Sequence, residues 1–393
     1  MTRRRAEERL FTPAFIALGA SELCYFTAAG VAIFALPMHV TGPVGGDEAA
    51  AGLAFGAFAV SALVLRPLAG RLTDTYGRLP FLIGGALVAA ASLALLIVAE
   101  DLVTIVALRL LAGVAEAAFF VAGFAALADL APPHRMGEAL SYNSLGLYLG
   151  ISLGPPLGEV LTDLGGTDLA WSGAAGLAVL AALMCLLIGE TSDRSAAAES
   201  SRHFIHRPGL PIALGFLTSL VAVGGFLAFA ALHAAQVGLQ AASVPLLAYG
   251  AIVVVCRIAF ARVPDRLPSL ALGAASLGVI ALGLAIIAAW STPAGLIVGA
   301  AVLAVGVTFS TPAFFAAIFA TAAPSERGVA SGTASAAIDL GLGIGPITLG
   351  LVAGQFGIPW ALATGAAIAA AGALWTLALR RRAVDTARRA PTS

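Results

Sequence analysis

Long uninterrupted apolar runs are the feature that most limits how this chain can fold. Residues 80–99 and 268–289 are two continuous examples. A membrane-spanning strand needs about 10 residues of alternating polarity, whereas a spanning helix needs about 20 that are predominantly apolar. The runs therefore predict transmembrane helices. Composition agrees, because only 11% of the residues are charged, against about a quarter in a soluble protein.

Twelve apolar segments of this kind follow one another along the chain. They cover residues 12–36, 48–70, 80–99, 102–128, 136–161, 169–189, 210–236, 244–263, 267–289, 294–321, 328–354 and 358–379. At about 20 to 25 residues each, twelve helices leave about 90 to 150 residues for the tails and connections, which is too few for an added soluble domain. We expect an all-α membrane protein.

The basic residues predict the orientation of these spans. All 21 are Arg, since the sequence contains no Lys. Twenty lie in the tails or in and around every second connection, including Arg66, Arg71 and Arg78 around the connection between spans 2 and 3. The positive-inside rule then predicts that both termini are cytoplasmic. The Lys-free, Arg-rich composition is typical of a high-GC bacterium, and so favours a bacterial inner (plasma) membrane.

Charge also excludes some functions. Because the 21 basic and 21 acidic residues balance, no nucleic-acid partner is expected. Without Lys there is no P-loop that could hydrolyse ATP. The three Cys residues are dispersed in the spans and form no metal-binding pattern. We expect neither an enzyme nor a bound metal or cofactor.

An internal repeat organises the chain. Arg66, Arg71 and Asp74 recur 191 residues later as Arg257, Arg262 and Asp265. Gly154-Pro155 recurs as Gly345-Pro346 at the same displacement. Two halves of six helices with parallel topology are typical of a large class of secondary transporters. The predicted division is a first bundle at 1–189, a cytoplasmic central loop at 190–209, a second bundle at 210–380 and a cytoplasmic tail at 381–393.

Three segments carry a resemblance to a known family. The segment from Gly70 to Arg78 resembles the signature loop between helices 2 and 3 of the major facilitator superfamily. Arg109-x3-Gly113 is similar to that family's helix 4 motif. Gly150-x3-Gly154-Pro155-x2-Gly158 is similar to its helix 5 motif, which is associated with antiporters. The resemblance covers the whole chain and implies two pseudo-symmetric six-helix bundles that work by alternating access.

Ionisable residues inside the spans are candidates for proton coupling, because a buried charge in a membrane is costly and usually functional. Glu22 lies roughly 15 Å into span 1, and Arg109 lies roughly 10 Å from the outer end of span 4, so the two are expected to pair. Glu116 shares a helix face with Arg109, and Asp339 lies midway along span 11. Motion that changes the distance between Glu22 and Arg109 would load and release a proton. The alternative is that Glu22 or Asp339 stays neutral as a hydrogen-bonding group between helices.

Two further sets of residues are expected to govern conformation. A charge network of Asp74, Arg78 and Asp129 would tie spans 2, 3 and 4 together and act as a latch of the outward-facing state. The full predicted latch comprises Gly70, Asp74, Gly77, Arg78 and Asp129. The small residues of span 5 allow close helix packing and a bend. The predicted hinge at the seam between the halves comprises Gly150, Gly154, Pro155 and Gly158.

Aromatic and polar side chains in the spans are candidates for binding an apolar or amphipathic substrate. The predicted substrate contacts are Tyr25, Phe26, Phe120, Tyr142, His233 and Gln236. The expected function is a monomeric, proton-coupled antiporter that exports a small organic molecule such as a drug or metabolite. An uptake symporter or facilitator for a sugar-like metabolite, and a non-transporting membrane receptor, remain open alternatives. The expected partners are the substrate, protons and the lipid bilayer.

Overall fold

The computed structural model describes residues 10–132, 135–191, 205–323 and 326–389. These ranges are almost entirely helical. The helices are α1 Pro13–Thr41, α2 Glu48–Tyr76, α3 Leu79–Leu95, α4 Leu102–Leu130, α5 Met136–Cys185, α6 Leu210–Gln236, α7 Val244–Ala259, α8 Val263–Arg266, α9 Ser269–Ala289, α10 Pro293–Phe319, α11 Arg327–Phe356 and α12 Ile358–Arg389. Six of the twenty arginines used to predict the orientation lie outside the described residues, namely Arg3, Arg4, Arg5, Arg9, Arg194 and Arg202.

Within the described ranges, ten helices are long and apolar enough to cross a membrane, and α7 is a shorter apolar helix. Helix α5 has 50 residues and is interrupted at Gly165 and Gly166, where the backbone is not helical. Counting α5 as two spans and adding α7 gives twelve. The predicted all-α membrane fold is confirmed.

Local sequence explains where several helices begin. The Thr12 hydroxyl accepts a hydrogen bond from the Phe15 amide, and Pro13 occupies the first turn of α1. Thr292 and Pro293 repeat this arrangement at α10. Asp101 caps α4 by accepting hydrogen bonds from the Thr104 hydroxyl and amide, and these bonds hold the pKa of Asp101 below its ordinary value. Caps of this kind satisfy backbone amides that have no partner inside the helix.

The described chain forms two compact units. In the first, both ends of α5 reach the same level of α1. The Ser21 hydroxyl donates to the Ala181 carbonyl at 2.9 Å near the end of α5, while Asn143 near its start hydrogen-bonds with the adjacent Glu22. Helix α5 therefore folds back on itself as a hairpin against α1. The turn is at Gly166, whose φ of +74° suits only glycine.

In the second unit, α6 packs against α11 and α12, while α9 packs against α10 and α12, and α10 contacts α7. This unit also includes residues 47–56, from the start of α2. There Gly52 and Gly350 approach so closely that a β-carbon on Gly52 would lie 3.0 Å from the Gly350 α-carbon. A single boundary in the sequence cannot produce this grouping, because residues 47–56 are far along the chain from the rest of the second unit.

The internal repeat is also present in the packing of the two units. A β-carbon on Gly30 of α1 would lie 3.2 Å from Cδ of Pro155 in α5. A β-carbon on Gly224 of α6 would lie 3.0 Å from Cδ of Pro346 in α11. The two contacts are related by displacements of 194 and 191 residues. Each unit thus brings its first helix against its glycine-rich helix in the same way.

Three boundaries differ from the prediction. Helix α2 continues to Tyr76, so most of the segment expected as a loop is helical and only Gly77 and Arg78 connect α2 to α3. Gly77 ends the helix because its φ of +98° is not helical. Span 8 ends at Ala259 and is followed by the short α8. Helix α12 runs through the predicted tail as far as Arg389, which Ala and Arg favour as strong helix formers.

The close contact between α1 and α5 can be tested with a matched pair of substitutions in α5. A β-carbon at Gly150 would lie 2.7 Å from the Thr27 amide nitrogen, whereas at Gly176 it would meet nothing within 4 Å. We expect Gly150→Ala to lower the melting temperature of the detergent-solubilised protein, since overpacking costs about 1 to 3 kcal/mol. Gly176→Ala should leave it unchanged or raise it slightly. Equal melting temperatures for the two variants would contradict this packing.

Candidate functional site

Glu22 is a buried carboxyl group inside a membrane span. Only 4% of the residue is exposed. It lies nine residues after the start of α1 at Pro13, or about 14 Å along the helix axis. Its side chain hydrogen-bonds with Asn143 of α5. A β-carbon on Gly123 of α4 would come within 3.1 Å of Glu22 Oε1, so the small residue at position 123 makes room for the carboxyl group.

Arg109 lies in a second polar group. Its guanidinium carbon is 4.9 Å from the centre of the Phe58 ring, and its electrostatic neighbours are Glu116 and Tyr25. Tyr25 is buried and its ring stacks on Phe119 with 4.0 Å between the ring centres. The structure therefore groups Arg109 with Glu116, as their spacing on one helix face predicts.

The expected pairing of Glu22 with Arg109 is not what the structure shows. The carboxyl group of Glu22 is turned toward Asn143 and Gly123. Glu116 is a charged neighbour of Arg109. Similar predicted depths of Glu22 and Arg109 are not enough to predict that they pair, because contact also depends on how each helix is rotated about its axis.

Arg66 is one of the arginines expected around the connection between spans 2 and 3, and it also lies in this region. It is inside α2, ten residues before the helix ends at Tyr76. Its guanidinium carbon is 4.5 Å from the centre of the Phe120 ring, and it is in electrostatic range of Tyr25. That Arg66 marks the cytoplasmic side of the membrane stays a prediction.

The residues predicted to contact the substrate do not all lie together in the structure. Tyr25, Phe26 and Phe120 lie together in the first unit, with the rings of Phe26 and Phe120 6.5 Å apart. Tyr142 lies near the start of α5, where its ring is 5.0 Å from that of Phe11 and the residue is 44% exposed. It does not belong to the Tyr25 group.

The other predicted residues lie in the second unit. His233 is buried near the end of α6, whereas Gln236 at that end is exposed and its amide donates to the Glu48 carboxylate at 3.4 Å. Asp339 is a buried acid in α11, twelve residues after the helix begins at Arg327. The second unit thus has its own buried ionisable groups.

The predicted charge network is present at the junction of α2 and α3. Arg78 Nη1 donates to Asp74 Oδ1 at 2.9 Å, and Arg78 Nε donates to Asp129 Oδ2 of α4 at 3.1 Å. The Arg78 side chain is 15% exposed and that of Asp129 is 27% exposed, against 71% for Asp74. Exposed ion pairs contribute little, so the bond to Asp129 is the important one for joining the helices.

Glu190 also belongs to this network, and the sequence analysis did not predict it. Its Oε1 accepts a hydrogen bond from the Arg78 amide at 2.8 Å, and its Oε2 accepts one from the Leu79 amide at 3.2 Å. The Thr191 hydroxyl donates to Asp129 at 3.0 Å. A carboxylate at the start of α3 is favoured by the helix dipole. The only indication of this role in the sequence was that Glu190 is the first acidic residue after predicted span 6.

The glycines of the predicted hinge lie where α5 meets α1 in the first unit. A β-carbon on Gly150 would clash with Thr27, and one on Gly158 would lie 3.2 Å from the Val31 carbonyl oxygen. Gly154 faces Gly30. The expected close packing is confirmed. Bending at Pro155 stays a prediction.

Comparison with known proteins identifies the family. The model of the Major Facilitator Superfamily matches residues 18–310. The chain belongs to the major facilitator superfamily. An uncharacterised transporter of this type from Burkholderia pseudomallei is 29% identical over 376 residues, which cover 92% of this chain and 90% of that protein.

Solved structures of major facilitator superfamily transporters share the fold. A bacterial homologue of the human lysosomal transporter Spinster gives a TM-score of 0.79 at 14% identity, covering 93% of this chain and 96% of that one. The nucleoside transporter NupG gives 0.77 at 15% identity, with coverage of 93% and 99%. This multi-pass membrane protein therefore belongs to a family of transporters and shares the fold of these solved structures.

The role of Glu190 can be tested by hydrogen exchange. We expect Glu190→Ala to speed amide exchange of Arg78 and Leu79 by about tenfold or more, because both amides lose their acceptor. Glu138→Ala is the matched control, since the carboxylate of Glu138 accepts hydrogen bonds from Arg135, three residues before it in the chain. Exchange in a peptide spanning residues 77–82 measures the difference. Unchanged exchange in Glu190→Ala would show that the Glu190 bonds are not formed in solution.

Proposed function

We propose that this transporter is a proton-coupled antiporter that exports a small organic molecule by alternating access. The observation that carries the proposal is the carboxyl group of Glu22, which is almost fully buried in a membrane span. A carboxyl group in such surroundings takes up a proton when it is isolated and releases it when water or a positive charge approaches. Intramembrane ionisable residues commonly serve as proton relays in transporters.

The surroundings of Glu22 support a change of state. Its contacts come from α4 and α5, through Gly123 and Asn143. A small shift of either helix against α1 would alter the hydrogen bond and the access of water. Arg109, Glu116 and Asp339 are the further ionisable groups that we assign to coupling. The alternative for Glu22 is a fixed neutral group that joins α1 to α5.

The network around Arg78 is assigned the role of a latch. Gly70, Asp74, Gly77, Arg78 and Asp129 were its predicted members, and Glu190 and Thr191 join them. The network connects the ends of α2, α3, α4 and α5 by bonds that one motion can break together. The glycines and Pro155 of α5 are assigned the role of a hinge, because helices bend most readily at such residues.

The direction of transport and its coupling can be tested in proteoliposomes. Purified protein is reconstituted and flux of a panel of labelled drugs and metabolites is measured with and without an imposed pH gradient. Antiport predicts that an opposing proton gradient drives accumulation of at least one compound and that collapsing the gradient abolishes it. Gradient-independent flux would indicate a facilitator, and accumulation along with protons would indicate a symporter.

Substitution of Glu22 tests the coupling residue. We expect Glu22→Gln to abolish gradient-driven accumulation, because the amide cannot carry a proton, while exchange of substrate across the membrane without a gradient persists. Glu138→Gln, on an exposed acid, should behave as the wild type. Intact gradient-driven transport in Glu22→Gln would contradict the assignment of Glu22 to proton coupling. Loss of exchange as well as accumulation would instead indicate a structural role.

A further inference from the structure

A pocket of about 360 Å³ lies where the apolar helix α7 ends and the short α8 follows it. The described residues that line it all fall within 258–266, and we call it the Arg262–Arg266 pocket. Arg262 and Arg266 are exposed, and none of the described lining residues is acidic. Ile258 and Phe260 are 64% and 51% exposed. The pocket therefore combines basic groups with apolar surface.

The pocket lies where the chain leaves the helical conformation. The corresponding stretch of the first half, residues 67–75, is continuous helix inside α2. Pro264 stands where the first half has Thr73. A proline inside a helix cannot donate the backbone hydrogen bond, and its ring collides with the carbonyl four residues earlier, which here belongs to Phe260. Helix α7 accordingly ends at Ala259, and Phe260 has φ −117° and ψ 25°.

The acids that surround the Arg78 junction in the first half are not repeated in the second. Arg78 bonds Asp129 through its side chain and Glu190 through its amide. The residues 191 positions after these two acids are Ala320 and Arg381. The second half therefore has no carboxylate at either position.

Basic charge, in contrast, is increased in the second half. Arg266 stands where the first half has Thr75. Residues 257–266 contain three arginines and one acid, Asp265, which leaves two positive charges. Within the ranges that the structure describes, no ion pair involves Arg262 or Arg266. Like charges four residues apart on a helical turn repel each other, so an anion that contacts both arginines would be stabilising.

The chemistry of the pocket matches a molecule with an anionic group and a hydrocarbon part. The paired donors of guanidinium fit phosphate oxygens, and the Phe260 ring, 6.4 Å from that of Phe309 in α10, offers a wall for hydrocarbon. At the end of an apolar helix of a membrane protein, lipid headgroups and acyl chains are both within reach. A zwitterionic lipid would bring an ammonium group toward the two arginines, which disfavours it.

We propose that the Arg262–Arg266 pocket is a binding site for an anionic phospholipid of the bilayer. The guanidinium groups of Arg262 and Arg266 bind the phosphodiester of the lipid, and the side chains of Ile258 and Phe260 contact its acyl chains. The proposal does not depend on the direction or the coupling of transport.

Lipid preference can be measured by native mass spectrometry of the purified, delipidated full chain in detergent. The probes are dioleoylphosphatidylglycerol and dioleoylphosphatidylethanolamine at equal concentration, which share their acyl chains and differ in headgroup charge. We expect the phosphatidylglycerol adduct to exceed the other by about fivefold or more. Free sn-glycerol 3-phosphate at the same concentration should not displace it. Equal binding of the two lipids would overturn the proposal, and so would displacement by the free phosphate.

Matched pairs of substitutions locate the binding. We expect R262Q/R266Q to reduce the ratio of the two lipid adducts to about one. R380Q/R381Q is the control, because it also removes two exposed positive charges, from α12, and it should keep most of the preference. An equal loss in both double variants would indicate diffuse attraction to basic surface and overturn the site.

A variant that keeps both arginines covers the case in which R262Q/R266Q does not fold. Ala261 is an exposed residue of the pocket lining, so A261E places a carboxylate beside the bound phosphate. We expect it to lower the preference for phosphatidylglycerol about fivefold. An unchanged preference in A261E would overturn the proposal.

Discussion

The contact between α1 and the α5 hairpin is the constraint on which the first unit depends. Gly30, Gly150 and Gly154 let the two backbones approach to distances that a β-carbon would prevent. In a membrane, association of helices relies on such packing, since burying apolar surface from lipid gains little. Because α5 is held against α1 on both of its arms, the Asn143 and Cys185 ends arrive beside Glu22 and Ser21. The second unit repeats the arrangement with α6 and α11.

Polar groups inside the spans of the first unit lie in two different surroundings. The Ser21 hydroxyl bonds a carbonyl of α5, and Glu22 bonds Asn143, so these groups contribute to helix packing whether or not Glu22 also carries a proton. The guanidinium groups of Arg66 and Arg109 lie beside the rings of Phe120 and Phe58 instead.

The charge network at the Arg78 junction could be predicted only in part from the sequence motif. The i, i+4 spacing of Asp74 and Arg78 predicts their contact on one helix turn, and the structure has it at 2.9 Å. Asp129 could be placed because it ends span 4 on the side of the membrane where Arg78 lies. Glu190 could not, since the residue is 112 positions from Arg78 and only the packing of the hairpin against α3 brings it there.

The sequence by itself determined that this chain is a membrane protein of twelve helices, that its halves repeat, and that a charged junction follows span 2. These features depend on run length, composition and spacing, which are properties of the chain in one dimension. The tertiary structure alone decided that Glu22 contacts Asn143, that Arg66 lies against the Phe120 ring, and that residues 47–56 pack with the second unit. Partners in a helical bundle depend on the rotation and crossing of each helix, and an apolar span carries almost no periodicity that would fix either.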